Sequence, residues 1–122
     1  MSNPNDMNKE GNKNDLGKAR FDLVTPESLK KLVDIYTYVA TKYDDRNWEK
    51  GIKWSRVFAA IMRHLWDWWA GEEDDFESGL SHLAHAAWGC FSLMEYERRR
   101  RNFDDREDIK MGRQLDEFKE SK

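Results

Sequence analysis

All three histidines of this 122-residue chain fall in one short stretch, His64, His82 and His85, with the acidic run Glu72-Glu73-Asp74-Asp75-Phe76-Glu77 between the first and the other two. Imidazole nitrogens and carboxylate oxygens together suit zinc, manganese, iron or nickel. A mixed set of this kind fits a catalytic divalent site with open positions better than a closed structural one. Such a site polarises a phosphoryl oxygen and activates a water. The candidate ligands are His64, Glu72, Asp75, His82 and His85, and the candidate catalytic groups are Glu77, His82 and His85. The plain alternative is a set of hydrogen-bonded core histidines, with Asp75 or Glu77 doing no more than capping a helix. The spacing of His82 and His85 puts both on one helix face. It is a weaker signal than the His-Glu-x-x-His helix of zinc proteases, because no catalytic Glu stands between them. The chain has no Gly-rich phosphate loop, no Ser/His/Asp order and no CxxC.

A second polar group surrounds the segment from Tyr43 to Trp54. Lys42, Arg46, Lys53 and, further on, Arg63 are cations able to hold phosphate, and arginine does so in bidentate fashion. Tyr43, Trp48 and Trp54 offer stacking faces for a ring, and Asn47 offers an amide for a base edge. The same aromatics equally fold back onto a core. Both readings stand at the level of sequence.

Three helices must position these groups. Thr25-Pro26-Glu27 is a start signal: a capping residue, proline at the first helical position, and an acid at the positive helix end. Leu29, Leu32, Val33, Tyr36, Val39, Ala40 and Tyr43 continue at helical spacing to an end near Lys42, and Asp44-Asp45-Arg46-Asn47 reads as a turn. Gly51 permits a left-handed backbone. A second helix is expected from Ser55 as N-cap to Ala70, with an apolar face of Val57, Phe58, Ile61, Met62, Leu65, Trp68 and Trp69. His64 lies at the edge of that face, and Arg56, Arg63 and Asp67 lie opposite. A third helix is expected from about Ser78 to at least Tyr96, ended from the second by Gly71.

The third helix carries two apolar faces, one with Leu80, Leu83, Ala84, Ala87, Phe91 and Met94, the other with His82, His85, Ala86, Gly89, Leu93 and Tyr96. Ser81, Ser92, Glu95 and Arg99 form its water-facing stripe. A helix apolar nearly all round is buried on two sides, which predicts a homo-oligomer, a dimer or larger. The short link makes the second and third helices antiparallel. His64 precedes Gly71 by about as many residues as His82 and His85 follow Ser78, so three imidazoles are expected to meet in one layer.

With no period-two alternation and no hairpin turn, the expected fold is all-α, a bundle of about three core helices. Residues 1–20, polar and poor in anything to bury, read as a disordered segment. Residues 21–97 read as the domain, and 98–122, opening on four arginines, as a charged helix or tail. The arginine run reads as a solvated helix end. Net charge is −3, so no basic field recruits nucleic acid directly. No apolar run approaches membrane-spanning length and no signal peptide is seen, so a cytoplasmic protein is expected. The single cysteine, Cys90, suits a reducing compartment and reads as a small core residue.

Read in order, Gly17-Lys18-x-Arg20-Phe21-Asp22-Leu23, Pro26-Glu27, Lys42-Tyr43-x-x-Arg46-Asn47-Trp48-x-x-Gly51, Trp54-Ser55-Arg56, Arg63-His64-Leu65, Gly71-Glu72 and Asp75-x-Glu77-Ser78-Gly79-Leu80-x-His82-Leu83-x-His85-Ala86 resemble the N-terminal domain of the phage dATP/dGTP diphosphohydrolase family. The resemblance spans about residues 16–97. It implies cleavage of a purine deoxynucleoside triphosphate to monophosphate and pyrophosphate in the host cytoplasm, with a divalent metal, magnesium or manganese first and zinc or cobalt second. A more distant analogy is to the all-α MazG-like nucleotide pyrophosphohydrolases, which are oligomers with carboxylate-bound magnesium. Their paired Glu-x-x-Glu and Glu-x-x-Asp motifs are absent here; Arg63-His64-x-x-Asp67 and His82-x-x-His85 stand in comparable places. The other classes open to this sequence are a phage protein that binds a nucleotide without cleaving it, as a sponge or regulatory module, and a purely structural helical oligomer.

Overall fold

A computed structural model describes residues 6–107 and 109. Three helices carry the fold: α1 (Pro26–Lys42), α2 (Trp54–Trp69) and α3 (His82–Arg99), with short 3-10 turns at Asp6–Asn8, Phe21–Leu23, Asn47–Lys50 and Arg101–Phe103. Among the described residues the one β feature is an isolated bridge between Asp74 and Ser81, so the all-α expectation holds. None of these helices is long and apolar enough to cross a membrane.

Local signals set α1 as expected. Thr25 occupies the N-cap position in extended conformation and Pro26 begins the helix, although the Thr25 hydroxyl makes no cap bond. Ile35 is fully buried on its inner face. From residue 7 to residue 31 every residue is exposed. At the other end of the helix, Arg46 adopts a left-handed φ of 59° and opens the 3-10 turn that carries Trp48.

The starts of α2 and α3 differ from expectation. Ser55 lies inside α2, and the N-cap position belongs to Lys53. The helix is capped from a distance instead: the Asp105 carboxylate accepts from the Ser55 backbone N–H at 2.9 Å and from its hydroxyl. A carboxylate at the positive helix end is favourable. In α3 the cap is Ser81, whose side chain accepts from Ala84 N–H at 3.1 Å. Ser78 belongs to the preceding turn, because Gly79 takes a φ of 72° and breaks the helical path. That turn is closed by backbone bonds from Asp75 N–H to Leu80 O and from His82 N–H to Glu73 O.

α3 is the central helix, with α2 and α1 both packed on it. Antiparallel order of α2 and α3 follows from which residues meet: His64 meets His82 and His85, while Ile61 and Val57 meet Gly89. Trp54, Val57, Ile61, Ala86 and Tyr96 form the core, with Trp48, Ile52, Leu65, Leu93 and Phe103 against it. Burying each large aliphatic side chain contributes about 1.5–3 kcal/mol.

Several burial expectations are corrected. Ser92, assigned to water, is buried with its hydroxyl donating to Trp88 O. Cys90, assigned to the core, is exposed. Phe58, Trp68 and Trp69 of α2 remain exposed, since α1 covers only one side of the hairpin, and Leu83, Phe91 and Met94 form the outward face of α3 that the homo-oligomer expectation assigns to a second subunit. Three residues beyond 97 pack back onto the turn and the start of α2. Arg100 donates to Glu49 O, Phe103 rests on Gly51, and Arg106 lies 4.6 Å from the Trp54 ring. The arginine run is thereby held: Arg98 pairs with Glu95, and Arg99 with Glu95 and Glu49. The rest of the expected charged helix or tail lies outside the described residues.

At Gly89 a Cβ would sit 2.5 Å from Ile61 Cγ1. Ile61 is β-branched and buried, so it cannot rotate away cheaply. Gly89→Ala is therefore expected to cost about 1–3 kcal/mol through overpacking, outweighing the ~1 kcal/mol that alanine gains in helix propensity. Gly11→Ala, in open space, is expected to stay within about 0.5 kcal/mol of the parent. Urea denaturation measures both; equal stabilities would show that α2 and α3 do not meet at Gly89.

Candidate functional site

A cavity of about 730 Å³ lies between α1, the Trp48 turn and α2, with α3 beneath. α1 contributes Tyr38, Val39 and Lys42; the turn contributes Asn47, Trp48 and Ile52. From α2 come Arg56, Arg63, His64 and Asp67, and from α3 His85, Trp88 and Gly89. Asp75 and Glu77 enter from the turn joining α2 to α3.

Five of the eight residues expected to bind substrate line this cavity: Lys42, Tyr43, Asn47, Trp48 and Arg63. The other three do not. Trp54 is buried in the core beneath Arg106, because its position at the first turn of α2 faces α3. Lys53 sits at the exposed helix start, beside Asp105. Arg46 lines a separate recess behind Trp48 and pairs with Glu49 at 3.1 Å. Trp48 is at once a core residue and a cavity residue. It packs edge-on against Tyr36 and Trp88 at 6.2 and 6.4 Å, accepts the Tyr96 hydroxyl proton on its carbonyl, and still borders the cavity. Burial beneath this cluster pushes the Tyr96 phenol up to about 12, so it stays a donor.

Sequence reasoning missed Tyr38, Arg56 and Asp67 as cavity residues. The sequence puts Arg56, Arg63 and Asp67 on the side of the second helix opposite its apolar face, and of the three it assigns only Arg63 to substrate. Their helical spacing was the available signal, but it does not distinguish a stripe facing solvent from one facing a cleft.

The three imidazoles meet in one layer, as the hairpin register required. His64 Nδ1 lies 2.9 Å from His82 Nδ1, and the His64 and His85 rings stack at 4.4 Å with 3° between planes. His85 Nε2 shares a hydrogen bond with the Ser78 hydroxyl at 2.7 Å, and Asp75 Oδ2 lies 4.0 Å from it. Tyr38 packs edge-on against His85 at 6.0 Å. His82 is 1% exposed, and its Nε2 has no hydrogen-bond partner; the nearest carboxylate oxygen, Glu72 Oε1, is 3.5 Å away.

Two groups of side chains have ligand atoms close enough to share an ion: His64 with Asp75 and His82, and Asp67 with Glu72 and His82, each within 4.8 Å. Metal–ligand bonds of about 2 Å require these atoms to draw inward. His85 belongs to neither group, and its Nε2 is engaged by Ser78. Glu77 also stands apart. Lys42 Nζ bonds it at 2.8 Å and Tyr38 OH reaches it at 3.4 Å, which ties α1 to the turn. The Lys42 ammonium holds the Glu77 carboxyl below the usual carboxylate range.

Burial pushes His64 below the ordinary imidazole value, with Asp75 opposing and His82 adding to the drop. Burial does the same to His85, reinforced by His64 and opposed by Asp75. Burial pushes Asp75 up, but hydrogen bonds from Ser78 and the nearby imidazoles outweigh it and leave the carboxyl lowered. Both shifted histidines are thus neutral at pH 7. A lowered folded pKa means that their contribution to stability is complete above the unfolded value of about 6.5 and is lost as pH falls toward the folded values. The thermal midpoint is expected to drop from pH 7 to pH 5, and His85→Gln, which keeps a polar partner for Ser78, is expected to flatten that slope. An equal slope in the variant would show that His85 is not held neutral. Asp75 acts in the same direction, but only below about pH 4.

Comparison with known proteins bears on this cavity. Residues 8–106 match the family described as dATP/dGTP diphosphohydrolase, N-terminal. The chain is 33% identical over 96 residues to the dATP/dGTP diphosphohydrolase of Salmonella phage PMBT28, an alignment covering 79% of this chain and 33% of that protein. The chain thus spans about a third of the length of the curated relative it matches. No solved structure matches it. The matched range spans all three helices, the cavity and the histidine layer, and on that ground the chain belongs to the dATP/dGTP diphosphohydrolase N-terminal domain family.

Proposed function

We propose that this domain cleaves a purine deoxynucleoside triphosphate, dATP or dGTP, to the monophosphate and pyrophosphate, with a divalent cation, magnesium or manganese first and zinc or cobalt second. The observation that carries the reading is the make-up of one cavity: ring-stacking and amide groups, three cations and an imidazole–carboxylate layer share its wall. The family and the phage relative's name support the substrate class.

Arg56 and Arg63 stand seven residues apart on α2, about 10 Å along the axis at 1.5 Å per residue, and both face the cavity. That spacing suits two points along a triphosphate, and each guanidinium offers paired donors. Lys42 supplies a third cation once a phosphate competes with Glu77 for it. Trp48 and Tyr43 present ring faces to a base, and Asn47 an amide to its edge. A purine fits such an aromatic wall through area burial and stacking.

The imidazoles and carboxylates where α2 and α3 meet their connecting turn fit a divalent cation; His82 Nε2, buried and unpartnered, is the group most in need of one. When bound there, a cation neutralises triphosphate charge and acidifies a water. His85, neutral and oriented by Ser78, is placed to accept a proton at the cavity wall, and Glu77, kept ionised by Lys42, is the second acceptor. His82 is too buried to touch substrate and acts through the cation.

Purified protein incubated with dATP and dGTP plus magnesium, manganese, cobalt or zinc is expected to release pyrophosphate. His85→Gln is expected to lower kcat by about 10²-fold or more, and Arg63→Ala to raise KM by about tenfold or more, the loss of one charge-assisted contact. A triphosphate bound but recovered intact with every metal would move the domain to the nucleotide-binding reading, and no binding at all to the structural one.

We propose in addition that the chain self-associates through the exposed Leu83, Phe91 and Met94 of α3. These residues lie on the face of α3 turned away from the buried His82, Ala86, Gly89 and Tyr96, and contiguous apolar area of this kind marks interaction surfaces. Phe91→Glu is expected to reduce the mass in light scattering to the 14.6 kDa of one chain; a parent already at that mass would overturn the association.

A further inference from the structure

The histidine layer contains two candidate cation seats, and both claim the same ring. His64, Asp75 and His82 form one; Asp67, Glu72 and His82 form the other. A neutral imidazole has one lone pair, so His82 serves one seat at a time unless it loses both ring protons. Which nitrogen carries the proton therefore decides where a cation goes.

Two contacts around His82 bear on the choice. Its Nδ1 lies 2.9 Å from His64 Nδ1, a distance at which two imidazoles share one proton in an N–H···N bond. Its Nε2 is buried, has no hydrogen-bond partner, and lies nearest to a carboxylate oxygen, at 3.5 Å. We propose that His82 donates its Nδ1 proton to His64 and presents the bare Nε2, with Asp67 and Glu72, as the cation seat of this domain. The assignment rests on the metal-dependent reading above and narrows it. His64 becomes a positioning residue that fixes the His82 tautomer, and Asp75 is left to hold Ser78 and the turn.

Two features support this seat over the other. Metal-bound histidines ordinarily donate their second ring nitrogen to an acceptor, which fixes ring and tautomer; His64 is that acceptor here. The seat also offers two carboxylates and one nitrogen, a harder and more negative set than two imidazoles and one carboxylate, and hard oxygen donors suit magnesium and manganese. Asp67 borders the cavity, so a cation at this seat is adjacent to the stripe formed by Arg56 and Arg63. A buried lone pair facing carboxylates is unfavourable without a cation, which gives the seat its affinity.

The test has two readouts independent of activity. Calorimetric titration of the full chain with manganese is expected to give one ion per chain. Asp67→Asn and Glu72→Gln are each expected to weaken binding at least tenfold. Asp75→Asn, and Glu73→Gln as a control for generic acidity in the same turn, are expected to change it less than twofold. All four positions are at least partly exposed, and circular dichroism checks that each variant folds. Nitrogen-15 spectra of the magnesium-bound protein are expected to show His82 protonated at Nδ1 and bare at Nε2. A proton on Nε2, a doubly protonated ring that binds no manganese, or affinity that follows Asp75 and ignores Asp67 and Glu72, would each overturn the seat. If manganese binding follows Asp67 and Glu72 but no triphosphate is cleaved, the seat stands and the hydrolytic reading falls. If cleavage and metal affinity both follow Asp75, the hydrolytic reading stands and the seat falls.

Discussion

Ile61 seats against the bare Cα of Gly89, at a separation that leaves no room for a methyl group. This contact fixes how closely α2 approaches α3 and which residues stand opposite one another. One turn further along α2, and one turn back along α3, the same register sets His64 beside His82 and His85. A looser helix pair would carry the same sequence with its imidazoles out of contact. The close approach is held by burial on both sides, Val57 and Ile61 from α2 and Ala86 and Gly89 from α3. Because interiors are packed without slack, sub-ångström changes at Gly89 are transmitted to the histidine layer.

Electrostatics then shapes what the hairpin brings together. Three rings in contact cannot all be charged: burial and mutual repulsion keep His64 and His85 neutral, and Asp75 stays ionised beside them. The charged groups of the cavity are arranged in a second register, along α1 and the outer stripe of α2. Lys42 and Glu77 bridge α1 to the turn at the cavity wall. The C-terminal part of the described chain contributes from outside the cavity. Asp105 caps α2, Arg100 holds the carbonyl of Glu49, and Phe103 fills the space over Gly51. These contacts secure the turn that presents Trp48.

Much of this was legible in the residues. Thr25 and Pro26 mark the start of α1 because capping and proline geometry are local properties. The histidine layer was legible because a short link forces antiparallel helices, and counting residues from the link gives their heights. Other features were hidden for physical reasons. Ser55 looks like a helix cap, yet the cap comes from Asp105, fifty residues away in the chain, and no local pattern encodes that. Ser78 looks like the start of α3, but the positive φ of Gly79 makes it part of a turn whose Asp75 and His85 partners are set by tertiary contacts.

The sequence by itself determined the helical class, the number of core helices, the antiparallel pairing of the last two and the meeting of three imidazoles, since each follows from periodicity, link length and side-chain type. Tertiary structure alone decided which polar stripe faces a cleft and which faces water. The placement of α1 turns Arg56, Arg63 and Asp67 inward to the cavity and leaves Phe58 and Trp69 outside. It also decided that Ser78 engages His85 and that the buried Nε2 of His82 is left without a partner. Helical periodicity fixes the direction of a side chain relative to its own axis; what it meets there depends on a neighbour that the periodicity does not describe.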